Sequence, residues 1–90
     1  MNEETKDNKR IWRLCVKNCS PMTVKRIADF IYELKRNDTI TERGLLINRM
    51  FEFPCTFEDV EKIRYFLARE IQPQRIGQIS FIPLSLEKED

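Results

Sequence analysis

Twice in this chain an apolar run closes on a cysteine, passes through a hydroxyl residue and opens an amphipathic stretch. The two places are Val16-Lys17-Asn18-Cys19-Ser20-Pro21 and Phe51-Glu52-Phe53-Pro54-Cys55-Thr56. A Ser or Thr before such a stretch is an N-cap signal, because its side-chain oxygen accepts from one of the unpaired first amides of a helix. The doubled pattern therefore predicts strand, helix, strand, helix, strand.

The first strand is predicted over Lys9 to Lys17, where Trp12, Leu14 and Val16 alternate with Ile11, Arg13, Cys15 and Lys17. A period of two buries one face of a strand. Ser20 then caps a helix with Pro21 at its first position, where a missing amide hydrogen costs nothing. From Met22 to Arg36, Val24, Ile27, Ala28, Ile31 and Leu34 fall at helical spacing, and Asn37-Asp38 ends the run. Thr56 caps a second helix, Phe57 to Ile71, with Glu58, Asp59 and Glu61 set against the positive end of its dipole and Pro73 as its stop. The last strand spans Arg75 to Leu86, and Pro83 marks it as an edge or a terminus.

Residues 39–54 admit two readings. In one, Leu45 to Phe53 is a strand with Leu45, Ile47, Phe51 and Phe53 at alternate positions, interrupted by Arg49, and Thr39 to Arg43 adds a short edge strand. In the other, Thr39-Ile40-Thr41-Glu42 is a capping box opening a helix, which makes residues 39–70 a helix-turn-helix of the winged-helix kind. The second reading places Gly44 inside a helix at about 1 kcal/mol, so the residues favour the strand. A strand-helix-strand unit within one sheet needs a right-handed parallel crossover, which puts both helices on one face. The expected fold is a two-layer α/β sandwich of α+β character. The extra short strand would turn its order into the split arrangement of ferredoxin-like domains.

Ninety residues allow one modest core, expected over residues 9–86, with residues 1–8 and 87–90 as disordered tails. No apolar run approaches the length of a membrane span, and the acidic start is unlike a signal peptide. Three cysteines form none of the even, dense spacing of a secreted disulfide scaffold, which points to a cytoplasmic protein.

The chemistry available is narrow. Without histidine there is no Ser-His or Cys-His catalysis and no histidine-ligated metal. With only Gly44 and Gly77 there is no glycine-rich phosphate loop. No catalytic residue, metal site or small-molecule cofactor is expected, and the carboxylates lack a histidine, lysine or metal partner for acid-base work.

Two groupings remain. In a parallel crossover the ends of both strands lie along one sheet edge. Cys19, Ser20, Cys55 and Thr56 would then meet beside two helix starts, as an anion site or a redox-sensitive pair, or as half-buried thiols beside ordinary caps. The second grouping is a partner face formed by Lys9, Arg13 and Lys17 on the first strand with Arg49 on its neighbour. Residues 9–49 carry ten basic against four acidic side chains, an asymmetry that steers polyanions or simply solvates a surface. Ile11 and Cys15, joined by Leu46 and Met50, make the same face partly apolar. The residues therefore favour a small non-enzymatic binding or regulatory protein that acts through protein contact, self-association included. The alternative is a nucleic-acid binder using the basic half or a helix-turn-helix. Trp12 points inward on the alternation, which takes a stacking group away from the open face.

Overall fold

A computed structural model of the chain describes residues 9–45, 48–71 and 78–84. The expected tails, Leu46 and the outer reaches of the last strand lie outside these.

The alternating segment forms β1 (Arg10–Lys17), with Leu14 and Val16 fully buried. Asn18 turns the chain at a positive φ of 56°, a conformation asparagine tolerates better than most residues. Helix α1 (Pro21–Leu34) starts as predicted: the Thr23 amide donates to Ser20 Oγ at 3.2 Å, and Pro21 occupies the first turn. Val24, Ile27 and Ile31 form its buried stripe.

Residues 39–54 settle as strands. β2 (Thr41–Leu45) and β3 (Asn48–Cys55) pair antiparallel, and no helix begins at Thr39. The helix-turn-helix reading is thereby corrected, since the β-favouring run from Met50 to Phe53 finds partners on both sides. The expected strand start at Leu45 moves to Asn48. Gly44 adopts φ 107°, and a Cβ there would run into the Asn48 carbonyl oxygen, so a glycine is needed at this close approach of β2 to β3.

Thr56 caps α2 (Phe57–Phe66) through a full capping box with Asp59, at 3.1 and 3.2 Å. A π-helical turn, Leu67–Ile71, extends it to the predicted end. β4 (Gln78–Pro83) lies at a sheet edge.

The four strands form one antiparallel sheet in the order β2-β3-β1-β4. The expected parallel neighbours are corrected: β1 and β3 run in opposite directions, with Arg10 opposite Cys55 and Val16 opposite Arg49. The physical cause is β2, which returns the chain to one end of the sheet before a short connection starts β3. Both helices cover one face, where Leu14, Val16, Phe51 and Phe53 meet Ile27, Ile31 and Ile63. Phe30 and Phe66 stack across the two helices at 4.1 Å with planes 1° apart. Each fully buried side chain in this layer is worth about 1.5–3 kcal/mol. Among the described residues, no helix is long and apolar enough to cross a membrane.

Candidate functional site

Among the described residues nothing covers the face of the sheet away from the helices, and strand alternation decides what it shows. From β1 it presents Ile11, Arg13, Cys15 and Lys17; from β3, Met50, Glu52 and Pro54; from β2, Thr41 and Arg43; from β4, Ser80 and Ile82. Register sets these side by side in rows, with Thr41, Glu52, Arg13 and Ile82 crossing all four strands and Arg43, Met50, Cys15 and Ser80 forming the next row.

The centre of this face is neutralised. Arg13 donates to Glu52 at 2.8 Å through both Nε and a terminal nitrogen. Around that pair lie apolar groups that water reaches: Ile11 is 39% exposed and Ile82 47%, with Cys15 and Met50 half-buried. Lys17 and Arg43 are exposed at one end, and among the described residues neither has a carboxylate within ion-pair distance. They rim a shallow depression of about 250 Å³ floored in part by Cys15 and Met50.

Of the four basic residues expected on a partner face, Arg13 and Lys17 lie on it, Lys9 precedes β1 and Arg49 does not belong to it. Lys9 reaches Asp38 at 3.3 Å, Arg13 is paired within the face, and Lys17 is exposed. Arg49 is corrected to the helix side. It stands opposite Val16, shares its face with Phe51 and Phe53, and pairs with Glu42, which also accepts from the Tyr32 hydroxyl. That hydrogen bond raises the Tyr32 pKa.

The thiol grouping is separated by the antiparallel register. Cys55 lies opposite Arg10, whereas Cys19 follows the far end of β1, seven or more residues away and so roughly 20 Å along the strand. Ser20 and Thr56 each cap a helix, at opposite ends of the sheet. Burial raises the Cys19 thiol, and burial pushes Cys55 up to about 12 despite the nearby Lys35 ammonium. Neither is primed to act as a thiolate. Iodoacetamide on the native protein is expected to modify Cys15 alone, with all three cysteines labelled after unfolding. Mass spectrometry under mild oxidation is expected to find no Cys19–Cys55 disulfide.

What Cys55 and Thr56 do adjoin is a polar cluster the motifs did not announce. The Lys35 side chain is only 2% exposed and donates to Asp59 at 2.5 Å and to Asp38 at 3.1 Å. Asp38 also meets Lys9, and Asp59 closes the capping box on the Thr56 amide. Burial pulls the ammonium pKa down, but the two carboxylates outweigh it and the net shift is upward. The Lys35 hydrogen bond holds the Asp38 carboxyl low; burial pushes Asp59 up, and Lys35 and the Thr56 amide more than reverse it. This cluster fastens the end of α1 to the start of α2. Its signal in the sequence was spacing: Lys35 lies four residues beyond Ile31, on the buried stripe.

A second hollow, of about 350 Å³, opens between the start of β1 and α2 and is lined by Arg10, Trp12, Phe57, Glu61 and Arg64 among others. The Arg64 guanidinium lies 5.7 Å from the Trp12 ring centre, and Phe57 is 79% exposed. Trp12 does face the helices, as the alternation predicts, and is half-buried against Phe81 at 4.7 Å. No protein-family model, no curated protein and no solved structure matches this chain.

Proposed function

We propose that the chain is a non-enzymatic binding module that engages another protein through its uncovered sheet face, and that its architecture is ferredoxin-like. The β-α-β-β-α-β order and the strand order β2-β3-β1-β4 support the architecture. The observation that carries the function is the composition of the open face: exposed Ile11 and Ile82 beside a neutralised Arg13–Glu52 pair, with Lys17 and Arg43 at one rim. Apolar groups around a neutralised pair, with a basic rim, suit a partner with an apolar patch and an acidic border. A regulatory or adaptor role follows from contact alone. Two buried thiols, and Asp38, Glu42, Glu52 and Asp59 held in ion pairs, offer little to a reaction.

The test is a photo-crosslinking benzoylphenylalanine placed at Ile11 and, as a control, at Met22, which is 72% exposed on α1. A discrete protein adduct is expected from position 11 and not from position 22. Met50→Glu should weaken that adduct at least about tenfold, because it puts an unpaired charge among the apolar groups around the Arg13–Glu52 pair. Equal adducts from both positions, or none, would remove the reading.

One observation favours nucleic acid as a second reading: the hollow where Arg10 and Arg64 flank Trp12 and Phe57 supplies guanidinium groups and ring faces together. Fluorescence polarisation with labelled mixed-sequence RNA and DNA at two salt concentrations decides it. Binding that falls steeply with salt supports phosphate contact, and Arg64→Ala should reduce it.

A further inference from the structure

The outer edge of β4 has a backbone pattern that points to a specific occupant. The Leu84 amide donates to the Ile11 carbonyl at 2.8 Å, and β4 pairs with β1 from Trp12–Pro83 to Lys17–Gln78. In an antiparallel ladder, residues that bond to the neighbouring strand alternate with residues whose backbone groups face away. Ile82, Ser80 and Gln78 therefore bond toward β1. Ile79 and Phe81 turn both N–H and C=O outward, and among the described residues no strand meets them.

Sheet edges are normally blunted by charge, short length or distortion. β2 at the other edge has all three: five residues, Glu42 and Arg43, and Gly44 at φ 107°. β4 has no charge from Gln78 to Pro83. Apolar surface also flanks it on both sides. Ile82 is 47% exposed on the open face, and a cleft of about 190 Å³ on the helix side is lined by Leu67, Ala68, Ile79 and Phe81 together with Arg64.

We propose that β4 is a dimerisation edge, on which a second copy of this chain pairs its own β4 antiparallel across a two-fold axis normal to the sheet. The product is a continuous eight-stranded sheet with all four helices on one side. The register that pairs most of the described outward groups sets Ile79 opposite Phe81 of the second copy, with Ser80 on the axis. Both outward residues then exchange full sets of hydrogen bonds, and each Ile79–Phe81 contact is a favourable β-branched and aromatic pair. Sliding the axis to Phe81 would oppose Ile79 to Pro83, which has no N–H to give. The self-match is the reason the occupant is a second copy: in this register no charge faces a like charge. Centring β2 on Glu42 or Arg43 in the same way would set like charges opposite each other. The dimer pairs the outward backbone groups of Ile79 and Phe81, whereas the proposed partner face presents side chains; the two adjoin at Ser80 and Ile82, and Met50→Glu, which strikes that face alone, tells their failures apart.

Light scattering after size exclusion tests it. Over concentrations up to about 500 μM the wild-type mass should rise from 10.9 kDa toward twice that value by mass action. Ser80 is exposed, so Ser80→Lys and Ser80→Glu leave the fold intact while placing like charges on the axis. Each alone should weaken the dimer at least about tenfold, and an equimolar mixture of the two should restore it as a heterodimer. Met50→Glu, two strands away, should leave the dimer unchanged. A monomer at every concentration overturns the proposal. So does a dimer that both Ser80 variants retain, a mixture that fails to reassociate, or a dimer that Met50→Glu dissociates.

Discussion

Phe51→Ala is expected to destabilise the fold by about 4 kcal/mol, a large share of the 5–15 kcal/mol that holds a domain of this kind together. Phe51 is 0% exposed on β3, with Leu14 opposite on β1 and Glu42 opposite on β2. Its ring fills the layer between sheet and helices, and neighbours pinned on two strands cannot collapse into the space it leaves. Chemical denaturation followed by circular dichroism measures the loss. A change under 1 kcal/mol would mean that the core between sheet and helices is not packed as described.

Lys35→Ala should cost about 3 kcal/mol, for a different reason: it leaves two carboxylates facing each other without the cation they enclose. Lys35→Met keeps the volume but not the charge and should recover little, which separates electrostatics from packing. The pH dependence follows from the shifts. Asp38 and Asp59 sit below the usual 3.8 in the folded chain, so their contribution is present above 3.8 and is lost as pH falls through their folded values. Lys35 sits above the usual 10.5, so its contribution is present below 10.5 and is lost as pH rises through its folded value. The difference between wild type and Lys35→Ala should therefore be flat from about pH 4 to pH 10 and shrink outside that window. A difference that varies across neutral pH would exclude the cluster as its source.

Both helix starts were legible in the sequence because capping is local: Ser20 with Pro21, and Thr56 with Asp59, carry their signals within four residues. The inward rows of β1 were legible for the same reason. Strand direction was not, because it depends on which strand fills the space between β1 and its apparent successor. Thr41 to Leu45 is short, polar and weakly patterned, yet its presence reverses β3. That reversal sends Cys19 and Cys55 to opposite ends and dissolves the thiol grouping. Arg49 is a different case: its parity with Phe51 and Phe53 already placed it on the inner face, where Glu42 receives its charge. Lys35 went unnoticed because a lysine at the end of an amphipathic helix ordinarily keeps its charge in water. Only two acids brought from separate segments make its burial tolerable.

The single tryptophan of the chain also makes the molecule self-reporting. Trp12 rises from β1, touches Phe81 of β4 and lies beneath Arg64 of α2, so three elements converge on one indole. Its emission colour and intensity follow the seating of α2 and β4 against the central strand, in the unlabelled wild-type protein. A ligand entering the hollow beside it, or a loosening of β4, would register optically before the chain as a whole unfolds.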